Sequence, residues 1–207
     1  METILIILFL IISSNDSFYK NIKTIYSPTE YDYIVNKNIK LEKTYKPLDL
    51  EAIDTNYALE NKYLRKEAKY QFEKMARDAK DNNLTIIAVS AFRDYNYQEK
   101  LFNNYVKNKG EYYALLCSAK AGHSEHQTGL SVDISDSTYD YDNFEYTKEF
   151  KWVSKNAHKY GFILRYPKAK YHITGFKYEP WHYRYVGIDI ASTIYQKKIT
   201  LEEYKNI

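Results

Sequence analysis

The stretch AGHSEHQTGLSVDIS, Ala121 to Ser135, packs two of the chain's five histidines, two carboxylates and two glycines into fifteen residues. Gly129 permits a sharp turn, and the residues after it alternate: Leu130, Val132 and Ile134 face one side, Ser131 and Asp133 the other. This is the pattern of a strand with one face on a core and Asp133 on its polar face. His126 lies just before the turn, so a chain folded at Gly129 brings its imidazole beside that carboxylate. Such a pair is either two ligands of a metal or a hydrogen-bonded couple with no metal at all.

A third piece lies downstream in KYEPWHYRYVG, Lys177 to Gly187. Pro180 forces Glu179 toward an extended conformation, and the alternation from Trp181 onward reads as a second strand. His182 is the further ligand candidate. Two neutral imidazoles and one carboxylate leave a fourth position open, the arrangement used for a zinc-bound water of lowered pKa. Glu179, three residues from His182, is placed to act as general base. Strict alternation puts Glu179 and His182 on opposite faces, so their convergence requires a twist or bulge at Pro180. Without it the segment is an aromatic strand with a charged rim.

Outward from these motifs, Ala58 to Lys80 carries Tyr63, Leu64, Ala68, Phe72, Met75, Ala76 and Ala79 at three- and four-residue steps, which predicts a helix. Leu84 to Ser90, rich in β-branched residues, predicts a buried strand that delivers the chain into SAFRDYNYQ. A helix after Asp94 would share one face among Gln98, Leu101, Phe102 and Tyr105, so Gln98 points inward. Thr147 to Tyr160 predicts a further helix closed by Gly161, and Thr200 with Glu203 a capping box on a short terminal one.

The chain of 207 residues is 44% hydrophobic and 28% charged, the composition of an ordinary globular domain. Its 30 basic and 27 acidic residues are spread along the sequence with no basic block, so no nucleic-acid partner is expected. The 24 tyrosines would serve as aromatic platforms for a sugar or peptide polymer, or simply reflect a biased genome. Cys117 is the only cysteine, which excludes an intrachain disulfide and a thiolate metal cluster; within the apolar run ALLCSA it reads as a small buried residue. The apolar run Ile4 to Ile12 has the length of a signal-peptide core and is too short to span a bilayer, although Glu2 stands where a basic residue is usual. Residues 1–16 are therefore read as a signal peptide or N-terminal hydrophobic segment, with a buried strand or a misassigned start as alternatives. Residues 17–30 are read as a linker, and the domain as 31–207. An exported protein of the cell envelope or exterior is the expectation, with membrane proximity through the N-terminal segment only and a monomeric state.

The motifs SAFRDYNYQ, SEHQTGLSVDI, GFILRYP and EPWHYRYVG, in this order and spacing, resemble the VanY-type D-alanyl-D-alanine carboxypeptidases, bacterial zinc peptidases of cell-wall metabolism. The likeness runs from about Tyr31 to the C-terminus. It implies an α+β fold shared with the Hedgehog signalling domain, a small antiparallel sheet carrying the metal site with helices packed around it. It implies one zinc ion on His126, Asp133 and His182, with Glu179 activating the water. Arg93 would stabilise the oxyanion or grip a substrate carboxylate, and Gln98 would support Arg93 or the substrate. Ser124 would contact the terminal carboxylate of a peptidoglycan stem peptide. His123 falls outside the ligand pattern, and His158 and His172 read as surface residues on a helix and a loop. Two departures stand out: Ser131 replaces a usual alanine, and Ala169 a usual glycine in the loop after RYP.

Three rival readings share parts of this pattern. An L,D-carboxypeptidase or a D,D-dipeptidase would use the same metal site, since specificity lies in loops. A non-haem iron oxygenase also uses two histidines and a carboxylate, but its first two ligands sit two residues apart and it would leave Glu179 without a role. A non-catalytic cell-wall-binding module on the same fold would need neither Glu179 nor Arg93.

Overall fold

The computed structural model describes residues 18–141 and 143–207. The apolar run Ile4–Ile12 and the signal-peptide reading of residues 1–16 lie outside them. In chain order the elements are β1 (Lys23–Ile25), β2 (Ile39–Leu41), β3 (Leu50–Ala52), β4 (Tyr63–Arg65), α1 (Lys66–Asp81), β5 (Ile87–Ser90), α2 (Tyr95–Lys109), α3 (Glu111–Cys117), β6 (Ser131–Ser135), α4 (Lys148–Asn156), β7 (Phe162–Leu164), α5 (Tyr171–Thr174), β8 (His182–Tyr185), α6 (Ile188–Lys197) and α7 (Leu201–Lys205). Short 3-10 turns at Glu125–Thr128, Phe144–Tyr146 and Ala157–Tyr160 complete the set.

Four strands form an antiparallel sheet in the order β5-β6-β8-β7. On one face, Ala88, Val132, Ile134, Tyr183, Tyr185 and Phe162 pack against Ala68, Phe72, Met75, Ala76 and Ala79 of α1. The ring centroids of Phe72 and Phe162 lie 6.3 Å apart, edge to face. A second cluster joins Ile163 and Val186 to Ala191, Ile194 and Leu201, which seats α6 and α7 on the sheet. The α+β class and the antiparallel sheet expected from the sequence are therefore what the chain forms.

Several local expectations change. The helix predicted from Ala58 begins at Lys66, because Tyr63–Arg65 pairs antiparallel with Leu50–Ala52 and Ala58 bridges to Ala88. Tyr63 and Leu64 have helical spacing, but the preceding strand Leu50–Ala52 claims their backbone groups. The segment read as a linker is docked: Lys23–Ile25 pairs in parallel with Ile39–Leu41, and Tyr19 packs edge-on against His123 at 5.0 Å. The strand predicted from Leu84 is limited to Ile87–Ser90. Thr147 caps α4 by accepting from the Phe150 N–H at 3.0 Å, and the predicted helix ends as a 3-10 turn closed by Gly161 at φ 79°. The capping box at Thr200 and Glu203 is present. His172 lies on α5 rather than in a loop, and His158 stacks on Tyr195 at 3.8 Å.

Candidate active site

Asp133 and His182 are cross-strand partners on β6 and β8, which fixes one side of the site through sheet register alone. The Asp133 Oδ1 lies 2.9 Å from His182 Nδ1, and Oδ2 lies 3.3 Å from His126 Nε2. His126 arrives on the 3-10 turn Glu125–Thr128, capped at its start by the Ser124 hydroxyl, which accepts from the His126 N–H at 3.3 Å. The turn closes at Gly129, where φ is 68°. One ligand atom from each of His126, Asp133 and His182 lies within 4.8 Å of the others.

The His126 Nδ1 sits 2.6 Å from the carbonyl of Ala91, so Nδ1–H donates there and the lone pair of Nε2 is left facing Asp133. That is the tautomer a metal ligand needs, fixed by a backbone acceptor. Burial and the nearby Arg93 guanidinium push His126 down to about 4, which keeps it neutral. Burial opposes a charge on His182, but Asp133 and Glu125 outweigh it and hold the ring up to about 9. Asp133 is held well below the usual carboxylate range; burial opposes its charge and the His182 ring, 2.9 Å away and itself held up, favours it. The donor set of two imidazoles and a carboxylate, open to a cleft, fits a catalytic zinc.

Glu179 lies in the same cleft, 6% exposed, and burial pushes its carboxyl up to about 7. The opposite-face difficulty is resolved by a turn rather than a bulge. The His182 N–H donates to the Glu179 carbonyl at 3.2 Å, so residues 179–182 reverse direction at Pro180 and Trp181, and the regular strand begins only at His182.

Arg93 enters from the loop after β5. A register shift between Ala88 and Ser90 places Ser90 opposite Asp133, the kind of bulge that re-aims side chains beside a site. The Ser90 hydroxyl accepts from Arg93 Nη1 at 2.9 Å, and Gln98 Oε1 accepts from Arg93 Nε at 3.0 Å. Gln98 is 1% exposed and donates to the Ala119 carbonyl at 2.8 Å. The inward Gln98 thus orients Arg93, whose Nη1 stands 3.5 Å from Asp133 Oδ2. Arg93, Ser124, His126, Asp133, Glu179 and His182 all line one cleft of about 420 Å³.

His123 is buried away from the ligands, with Nδ1 2.8 Å from the Asn36 carbonyl. Cys117 departs from its buried reading: it is half-buried and lines the cleft. The polar face of β6 is enclosed rather than solvated, with Ser131 fully buried and Asp133 8% exposed.

Sequence reasoning missed the charges behind His182. Glu125 is 1% exposed, and its Oε1 accepts from Arg165 Nε at 2.8 Å and lies 2.9 Å from Arg184 Nη1. Arg165 in turn forms a two-point pair with Glu202 at 2.8 and 2.6 Å. Although burial opposes it, the two guanidiniums hold Glu125 well below the usual carboxylate range. Removing one member of such a buried set costs about 3–5 kcal/mol. The signal was present: Arg184 follows His182 by two residues on a strand, and so shares its face.

The family model described as VanY, D-alanyl-D-alanine carboxypeptidase, matches residues 61–188. The chain is 43% identical over 190 residues to a putative carboxypeptidase, YodJ, of Bacillus subtilis (strain 168), covering 88% of this chain and 70% of that protein. Among solved structures it is similar to the LdcB LD-carboxypeptidase, with TM-score 0.81 and 41% identity over 90% of this chain and 91% of that one. It is also similar to a mutant of the vancomycin resistance D,D-pentapeptidase VanY in complex with Zn(II), with TM-score 0.73 and 29% identity over 84% of this chain and 98% of that one. The chain belongs to the VanY family of D-alanyl-D-alanine carboxypeptidases.

Proposed function

We propose that this protein is a zinc-dependent carboxypeptidase that hydrolyses the terminal D-alanyl-D-alanine bond of peptidoglycan stem peptides or their precursors and releases D-alanine. The observation that carries the reading is the convergence, in one cleft, of three ligand atoms, a buried carboxyl and an anchored guanidinium. A binding module would need only the first of these. His126 through Nε2, Asp133 and His182 through Nδ1 hold the ion, which supplies Lewis-acid polarisation and lowers the pKa of a water. Glu179 takes the proton from the attacking water and passes it to the leaving amine. Its raised pKa suits both halves of that transfer near neutral pH. Arg93, held in the cleft by Gln98 and Ser90, offers a planar fork of donors to the developing oxyanion or to the substrate's terminal carboxylate. Ser124 stands at the cleft wall, where its hydroxyl hydrogen is available to the same carboxylate. Action on the cell wall implies an exported or envelope protein; among the described residues no helix is long and apolar enough to cross a membrane.

A second reading, cleavage of an L,D bond in a tetrapeptide, is favoured by the higher identity to LdcB, 41% against 29%. In both readings the product is D-alanine. The test is D-alanine release by the zinc-loaded protein from a pentapeptide ending in D-alanyl-D-alanine, from the corresponding tetrapeptide, and from the free dipeptide. Release from the pentapeptide is expected. Release from the tetrapeptide alone moves the assignment to the L,D bond, release from the dipeptide alone makes the protein a dipeptidase, and release from none overturns the peptidase reading.

A further inference from the structure

The motifs SEHQ, LRYP and WHYR each contain a charged residue that the mechanism leaves unused, namely Glu125, Arg165 and Arg184. The three meet behind His182, on the side away from Asp133. Glu125 Oε1 takes both guanidiniums, while Oε2 faces the ring, 3.6 Å from His182 Nε2 and 3.5 Å from the Ser131 hydroxyl. His182 Nε2 is buried and has no hydrogen-bonding partner among the described residues; Glu125 Oε2, at 3.6 Å, is the acceptor that faces it. Tyr166 stacks on the ring at 4.9 Å between centroids and 25° between planes.

We propose that Glu125 is a positioning residue of the metal centre: its Oε2 receives the Nε2 proton of His182, which commits Nδ1 to the metal and fixes the ring's rotation about its axis. This rests on the reading of His182 as a ligand. The arrangement is the second support that a ligating imidazole requires, complementary to the Ala91 carbonyl behind His126. An imidazole has two nitrogens, and the strand alone does not decide which one faces Asp133. An acceptor fixed behind the ring does. Glu125 can serve because Arg165 and Arg184 hold its Oε1 and so fix where Oε2 lies, and Glu202 on α7 holds Arg165 in turn. Two carboxylates stand against two guanidiniums, so the assembly presents the ring with an oriented acceptor while its own charges balance. Ser131, the departure from the usual alanine, adds a donor to the oxygen that faces His182.

A positioning role differs from a purely structural one through the geometry of an amide. In Glu125→Gln, the two guanidiniums demand the amide oxygen on their side, so the NH2 takes the place of Oε2. It then points a donor at the Nε2–H of His182, and the tautomer that binds metal through Nδ1 is disfavoured. Glu202→Gln weakens the same charged cluster at its far end without altering what faces the ring.

The experiment measures zinc affinity by competition with a chromophoric chelator, the visible bands of the Co2+-substituted protein, and thermal stability, for the full chain and its variants. If the parental chain binds no zinc, the ligand reading itself is wrong, and this proposal falls with it. Given parental binding, Glu125→Gln should bind zinc about 10- to 100-fold more weakly, the usual loss for such partners, with shifted Co2+ bands. Glu202→Gln should lower thermal stability while keeping zinc affinity within about threefold of the parent, because the acceptor is intact. A folded Glu125→Gln with parental zinc affinity and Co2+ spectrum overturns the proposal, as does an equal loss of affinity in both variants. If Glu125→Gln does not fold, Glu125→Asp decides by the same two criteria, since it keeps the charge for the arginines but withdraws it from the ring. If neither folds, the zinc-loaded parental chain decides: a slowly exchanging, downfield Nε2 proton on His182 is expected by NMR, and one that exchanges freely with water overturns the proposal.

Discussion

The His182 backbone N–H donates to the Glu179 carbonyl across 3.2 Å, and this one bond turns a base and a ligand that alternation would separate toward the same cleft. Because the Glu179 carboxyl stands outside the group of His126, Asp133 and His182 that could hold a metal, binding and chemistry are separable in the proposed mechanism. Glu179→Ala should retain its zinc and lose turnover by at least about a hundredfold, the low end for losing general acid–base catalysis. Elemental analysis beside steady-state kinetics checks both halves, and a metal-loaded mutant of near-normal rate would remove Glu179 from the mechanism.

In the proposed site His126 and His182 would each contribute one nitrogen to a set of three ligands with Asp133. His126→Ala and His182→Ala should each fall well below about one zinc per chain after dialysis, since a catalytic site keeps only three protein ligands. Full stoichiometry in both variants would place the metal elsewhere.

Arg93 is oriented by the Gln98 side chain at its Nε and by Ser90 at Nη1. Arg93→Lys keeps the charge but loses the planar fork, so a fall of about 10- to 100-fold in kcat/KM is expected. Gln98→Ala should give a smaller fall in the same direction, because the guanidinium remains and only its orientation is freed. A drop confined to kcat assigns Arg93 to the oxyanion, and a rise confined to KM assigns it to a ground-state carboxylate. Parental rates in both Arg93→Lys and Arg93→Ala would make it a structural residue.

The metal-free protein should respond to pH with a definite sign. Burial disfavours charge on His182, but Asp133 and Glu125 raise its pKa to about 9. A histidine raised above its unfolded value of about 6.5 contributes stability that is complete below that pH and is lost as pH rises through about 9. The loss across this window is on the order of 3 kcal/mol at most. Zinc affinity should move the opposite way, rising with pH as the His182 proton becomes easier to displace. Chelator-treated melts and zinc titrations from about pH 6.5 to 9, compared with His182→Gln to cancel other titrating groups, measure both. A His182-dependent stability that grows with pH contradicts the charge assignment.

Gly129 closes the His126 turn at φ 68°, and a Cβ there would lie 2.8 Å from Leu50 Cδ2 and 3.1 Å from Arg65 Cγ. Gly129→Ala should cost about 1–2 kcal/mol from the left-handed conformation alone. It should also weaken zinc binding, because His126 and Asp133 sit on either side of the turn. Equal stability and metal affinity in the variant would mean that the turn relaxes without moving either ligand.

The periodicities that depend on neighbouring residues were legible. The alternation of Leu130, Val132 and Ile134, the Thr200–Glu203 cap and the faces of α1 and α2 follow from local sterics and from which side chains must leave water, so the sequence alone determined a mixture of helices and strands, while the α+β class came from its resemblance to the VanY-type family. It also determined the ligand candidates, because His126, Asp133 and His182 fall at positions whose direction a turn and two strands dictate. Long-range pairing was not legible. Tyr63 and Leu64 fit a helix until Leu50–Ala52 claims their backbone, and Lys23–Ile25 looks like a tether until Ile39–Leu41 pairs with it. The cluster of Glu125, Arg165, Arg184 and Glu202 joins residues up to 77 positions apart, from Glu125 to Glu202. No local pattern specifies such a meeting; a buried charge declares its partners only when the fold has removed the water that would otherwise have satisfied it.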